Sequence, residues 1–198
     1  MFLSQLPLPP AFGPAVALLL LAAMPASSAA EMPLSERIAQ CAGCHGEDGN
    51  SQLEKIPSLA GQPEFFVLNQ LFLMREGVRK IEAMMPFVKD LKDDDLSGLS
   101  KHFGSLAPKA SGEAVDPAQL QRGAELVQAR RCGSCHLPTL AGQEQAPRIA
   151  KQRIDYLIYA LKAFRDGTRS GAETLMSASV AGMSDADFVA LAHYAASR

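Results

Sequence analysis

Cys41-Ala42-Gly43-Cys44-His45 and Cys132-Gly133-Ser134-Cys135-His136 decide how this chain is read. Each is C-x-x-C-H, the pattern of covalent haem attachment. Two thiols add across the two vinyl groups of one haem and form two thioethers. The histidine that follows is then held under the ring, where its imidazole can ligate the iron. The two motifs use all four cysteines of the 198-residue chain and two of its four histidines.

Other uses of paired cysteines fit less well. A zinc site wants its two pairs about 15–20 residues apart, whereas Cys44 and Cys132 are 88 apart. A thioredoxin-like redox pair wants a βαβ setting, and no alternating strand pattern is present. Two plain disulfides would suit an exported chain, but they leave the repeated histidines unexplained.

Outward from the motifs, the chain repeats itself. Cys41 and Cys132 differ by 91 positions. Pro57, Ala60, Gln62, Arg75, Gly77 and Arg79 match Pro147, Ala150, Gln152, Arg165, Gly167 and Arg169 at an offset of 90. Met84, Leu91, Asp93 and Asp95 match Met176, Met183, Asp185 and Asp187 at 92. Offsets that drift this little indicate a duplication with small loop changes. The division is a leader at 1–30, a first domain at 31–108, a turn-rich linker at 109–117 and a second domain at 118–198.

The halves read as all-α. Asp116-Pro117 is an N-cap followed by proline at the first helical position. Its helix runs towards Cys132, and its counterpart is expected to be shorter, from about Pro33 to Ala39. A second helix is expected over Glu64–Glu76, with a stripe of Phe65, Leu68, Leu71 and Phe72. Its twin is Ile154–Asp166, with Tyr156, Leu157, Ala160, Leu161 and Phe164. Gly77 and Gly167 stand where helix C-termini favour glycine. The last helices start near Asp93 and Ser184, the latter with Asp187 as a variant capping box. Each half has a modest apolar core, and a domain so small is marginal without a staple. A bonded haem supplies one.

His45 and His136 are the proximal ligand candidates. For the opposite face of each iron, Met84 and Met176 stand at equivalent repeat positions, and thioether sulfur favours ferrous iron. Met85 is the alternative for the first site, and Met183 aligns with Leu91 as a core residue. His102 and His193 do not occupy matching positions, so neither is expected to bind iron. Arg79 and Arg169 precede the methionine segments; they are either donors to haem propionates or solvated loop charges. Asp93, Asp95 and their twins read as helix N-terminal acids. With both faces closed, no small-molecule substrate reaches iron.

The leader reading rests on the apolar run Ala15–Ala23, then Pro25 and Ser28-Ala29-Ala30. This predicts a signal peptide cleaved after Ala30, although no Lys or Arg precedes Arg37. An uncleaved anchor is the alternative. The formal net charge of −2 offers nothing to nucleic acid. Residues 31–108 hold 8 basic and 12 acidic side chains, and residues 109–198 hold 11 and 9. Such asymmetry can orient a partner by long-range attraction.

The run Cys41 to Ser51, then Pro57-Ser-Leu-Ala-Gly-Gln62 and the Leu-x-Asp-x-Asp-Leu segment, resembles the diheme cytochrome c4 family over the whole mature chain. The resemblance implies two tandem cytochrome c domains with His/Met iron and haem edges close together. It implies a periplasmic electron carrier, not an enzyme, often associated with the membrane. Its expected partners are a bc1-type complex or a dehydrogenase as donor and a terminal oxidase as acceptor. The chain departs from the family after His136, where Leu137-Pro-Thr-Leu-Ala-Gly142 replaces the Gly-x-Asp-Gly-Asn run, and at His102, where an aromatic residue is usual. Two other readings use the same motifs: the haem subunit of a dehydrogenase oxidising sulfide or an alcohol, and a small haem peroxidase, which needs an open iron.

Overall fold

The computed structural model describes residues 32–171 and 174–198. The leader expected at residues 1–30 lies outside the described residues. Residues 32–198 form one compact unit, built from the repeat seen in the sequence.

The first half contributes α1 (Leu34–His45), α2 (Glu64–Arg75), α3 (Met85–Val88) and α4 (Asp93–Ser105). The second contributes α5 (Pro117–Ala129), α6 (Gly133–His136), α7 (Ile154–Arg165), α8 (Thr174–Val180) and α9 (Asp185–Ala196). Among the described residues the only β pairing is a single bridge between Gln143 and Ala146, so the all-α expectation holds.

In each half the first helix packs on the last. In the second half Gly123 permits this. A Cβ there would lie 2.4 Å from the Ala190 carbonyl oxygen and 2.5 Å from Tyr194 Cβ. In the first half the small residue is on the other partner: a Cβ on Gly98 of α4 would come within 2.6 Å of Leu34. Charge also ties the helices, since Arg37 pairs with the buried Asp95 at 2.9 Å and Arg122 pairs with Asp187. Asp95 and Asp187 also accept the Lys92 and Ser184 N–H groups at the helix starts, both at 2.9 Å. These carboxylates therefore join two helices as well as favouring one N-terminus.

The expected caps form. Asp116 accepts from Ala118 N–H, and Ser184 and Asp187 make the reciprocal capping box. Gly77 and Gly167 take positive φ just beyond α2 and α7. Two expectations need correction. First, α1 does not stop near Ala39 but continues through the whole haem motif to His45. The longer helix of the second half breaks instead at Arg130–Arg131, where Arg131 has φ 53°. Second, α2 buries Val67, Leu71 and Met74, while Phe65 and Phe72 are exposed. Glu64 to Arg75 is apolar almost all round, so periodicity cannot select the face; Arg75 then covers Phe72 at 5.4 Å.

The linker segment 109–117 is tied to both halves. Lys109 N–H donates to Asn50 Oδ1 at 2.8 Å in the first half. The Glu113 carboxylate accepts the Ile154 and Asp155 N–H groups at 2.7 and 3.1 Å, which caps α7 in the second.

Candidate haem sites

Each C-x-x-C-H motif presents its groups in the same way. Cys41 is half-buried and Cys44 exposed on the last turns of α1; Cys132 and Cys135 repeat this at α6. None of the four is in a disulfide. Burial pushes the Cys41 and Cys132 thiols up.

His45 and His136 end their helices and are 6% and 8% exposed. His45 Nδ1 lies 2.8 Å from the Pro57 carbonyl oxygen, and His136 Nδ1 lies 2.8 Å from that of Pro147. A carbonyl only accepts, so Nδ1 carries the proton and Nε2 keeps its lone pair. Burial pushes both imidazoles down, favouring the neutral form that a metal requires. After each histidine the chain reverses at positive φ, at Gly46 (88°) and Leu137 (67°). A Cβ on Gly46 would fall 2.5 Å from Asn50 O. Leu137 takes the equivalent conformation with ψ 156°, a region almost reserved for glycine, at a cost of about 1–3 kcal/mol.

Met84 immediately precedes α3 and Met85 begins it; both are half-buried on the core of Val67, Leu71, Val88 and Leu99. Cys41 packs on the same core. Met176 lies on α8, half-buried against Val180, Met183, Phe188 and Leu191. Met183 is buried as expected of a core residue. His193 Nδ1 accepts the Asp116 N–H at 3.0 Å at the start of α5. His102 packs edge-on against Phe103 with its Nε2 buried and unpartnered.

The solvated-loop reading fails for Arg79, which is 8% exposed. Arg79 Nη1 and Arg169 Nη2 both donate to the single amide oxygen of Gln70. Burial, and then the Arg169 charge, push Arg79 down to about 10. Its Nε has no partner. Arg148 is 3% exposed, gives Nε to the Ala60 carbonyl at 3.0 Å and Nη1 to that of Ala150, and leaves Nη2 buried without a partner. Among the described residues no carboxylate forms an ion pair with any of these three arginines. An unpaired buried guanidinium is costly, so Arg79 and Arg148 are each suited to a carboxylate-bearing ligand.

Sequence reasoning recorded Gln62 and Gln152 as repeat matches but gave them no role. Each reaches across to the opposite half. Gln152 Oε1 accepts Ser58 N–H at 2.8 Å, and its Nε2 donates to Ser58 O at 2.9 Å. Gln62 Oε1 accepts Arg148 N–H at 2.9 Å, and its Nε2 donates to Arg148 O at 2.9 Å. Ser58 and Arg148 are themselves equivalent positions, so the clasp has local two-fold character. The signal in the sequence was a glutamine at the same place in both halves, each next to an apolar run.

The donor set fits haem c: paired free thiols, neutral imidazoles with Nε2 available, thioethers on apolar cores, and buried cations lacking anions. The family model described as cytochrome c matches residues 120–197, and that described as cytochrome c oxidase, cbb3-type, subunit III matches residues 35–102. Cytochrome c4 of Pseudomonas aeruginosa is 32% identical over 169 residues, covering 80% of this chain and 83% of its own. The chain belongs to the cytochrome c4 family. The crystal structure of reduced cytochrome c4 from Pseudomonas stutzeri matches with a TM-score of 0.73 at 28% identity, over 83% of this chain and 98% of that one. The thiosulfate dehydrogenase electron acceptor of Thiomonas intermedia is 31% identical over 192 residues, covering 89% of this chain and 85% of its own. As a member of the cytochrome c4 family the chain is an electron carrier with two haem c groups, one in each cytochrome c domain, attached at Cys41/Cys44 and Cys132/Cys135. When bound, each haem supplies an iron that exchanges one electron at a time.

Proposed function

We propose that the chain carries single electrons in the periplasm, from a bc1-type complex or another membrane donor to a terminal oxidase or reductase. The observation that carries this is the matched pair of sites. Each half has a histidine oriented by its Nδ1 hydrogen bond and a half-buried methionine on its apolar core. In this reading His45 with Met84, and His136 with Met176, close both irons, so electrons pass without any substrate binding. Arg79 and Arg148, buried with guanidinium nitrogens left unpartnered, and Arg169, which shares Gln70 with Arg79, are the cations that would hold haem propionates. The two family-model matches fall inside 31–108 and 118–198, which supports these as the domain limits around the linker at 109–117. The export reading rests on the leader at 1–30 cleaved at Ala30. Among the described residues no single helix is long and apolar enough to cross a membrane.

The Thiomonas relative favours a second reading, in which the donor is a dehydrogenase acting on a reduced sulfur compound. The two are separated by purifying the protein from soluble and membrane fractions and identifying what accompanies it. The carrier reading predicts a freely dissociating protein, reduced by a bc1-type complex and reoxidised by native membranes at turnover rates. Co-purification in fixed ratio with a catalytic subunit, and no exchange with membranes, would establish the other.

A further inference from the structure

Each axial histidine is tied by hydrogen bonds to the opposite half of the molecule. The peptide between Pro57 and Ser58 accepts the His45 Nδ1 proton at its carbonyl, at 2.8 Å, and gives its N–H to Gln152 Oε1, at 2.8 Å. The peptide between Pro147 and Arg148 does the same with His136, at 2.8 Å, and with Gln62 Oε1, at 2.9 Å. Gln62 and Gln152 are 4% and 2% exposed, so water does not compete for these bonds.

The two ends of a peptide group polarise each other. An acceptor on its N–H makes its carbonyl a stronger acceptor, the cooperative strengthening expected in a low-dielectric interior. A stronger acceptor on Nδ1–H makes the imidazole a more basic ligand, and an electron-rich axial ligand favours ferric iron. We infer that Gln62 and Gln152 are positioning residues that act crosswise, each lowering the reduction potential of the haem held in the opposite half. Gln152 acts through Ser58 N–H and Pro57 O on His45. Gln62 acts through Arg148 N–H and Pro147 O on His136. The halves are thereby coupled: a change at one axial histidine is felt by the glutamine of the other domain. The inference rests on the diheme reading and on the axial role of His45 and His136.

The arrangement is not fully symmetric. Gln152 Oε1 also accepts Arg153 N–H at 3.0 Å, and Gln62 Nε2 also reaches Ser58 O at 3.5 Å. With its acceptor capacity divided, Gln152 polarises its peptide less than Gln62 does. The larger effect is therefore expected from Gln62.

The test is a redox titration of the intact diheme protein, with each haem followed by its own spectroscopic signature. Gln152→Leu raises the potential of the haem at Cys41/Cys44, and Gln62→Leu raises that of the haem at Cys132/Cys135. Each changes the partition of one electron between the haems by about 1.2- to twofold, the cooperative fraction of about 10–30% of one net hydrogen bond. Gln152→Glu, which when protonated reproduces both bonds to Ser58, leaves the first haem at its parental value. Shifts of both haems together, a shift confined to the glutamine's own half, or no shift overturn the proposal; the first of these is what a mere clamp would give. Where a leucine variant fails to mature, redox-difference infrared spectra of the parent with isotope-labelled glutamine decide the matter. The labelled side-chain carbonyl band moves as the haems are oxidised, and a silent band overturns the proposal. A haem count on the same samples separates this from the underlying reading, since fewer than two haems per chain would refute the latter.

Discussion

Met176→Ala yields a protein in which one haem, when reduced, binds carbon monoxide and titrates at a lower potential than in the parent. Thioether sulfur is a soft donor that stabilises ferrous iron, so its loss favours the ferric state. The fall is a sizeable fraction of the roughly 0.8 V that axial ligands span. Met176 is half-buried against Val180, Met183, Phe188 and Leu191, so if it holds the iron, as proposed, alanine would leave an apolar opening that a small neutral gas can enter. Met84→Ala has the same effect at the haem of the first half. Met85→Ala leaves the iron closed and changes stability alone, although Met85 packs on the same core. Equilibrium titration and carbon monoxide difference spectra of the three variants check the assignment. A closed iron in Met84→Ala and an open one in Met85→Ala would exchange the two roles. The parent protein is expected to bind no carbon monoxide, which would separate the carrier from a peroxidase with an open iron.

Gly123→Val breaks the second half. Its side chain would start 2.4 Å from the Ala190 carbonyl oxygen and 2.5 Å from Tyr194 Cβ, and the first of these is backbone that cannot rotate away. The helices α5 and α9 must separate, and α9 supplies Ala192, Ala195 and Ala196 to the core beneath. Overpacking of this kind costs about 3 kcal/mol or more, a fall in Tm of roughly 6–12 °C for a chain of this size. Gly43→Ala is the control: nothing lies within 4 Å of a Cβ there, and alanine suits a helix better than glycine. Thermal unfolding of both variants with haem bound checks the contrast. Equal losses at Gly43 and Gly123 would mean that the helix crossing is not what sets stability.

Much of this was legible because the chemistry is local. C-x-x-C-H needs no tertiary context, and a duplication exposes itself through matched spacings. Asp116-Pro117 and Ser184/Asp187 declare helix starts because capping is decided within three or four residues. What the sequence withheld depends on packing between distant segments. The extent of α1 was hidden because Gln40 to His45 has no apolar stripe. The buried face of α2 was hidden because Phe65, Phe72, Val67 and Leu71 compete for it on equal terms. Arg79 stayed open between a propionate donor and a solvated charge, since nothing near it in the chain shows that Gln70 and Arg169 converge on it. Gln62 and Gln152 were visible as a repeat, but their partners lie 86 and 94 residues away. Leu137 hid its turn because its twin, Gly46, is the residue that ordinarily signals one.

One chain is expected to hold two haems, each fixed by its own pair of thiols. The intact mass of the mature protein purified from its native host tests this most directly. The expected mass is that of the chain from Glu31 to Arg198 plus two haem groups, unchanged after acid–organic extraction, with no thiol left to alkylate. A mass carrying one haem, or none with four alkylatable thiols, would contradict it.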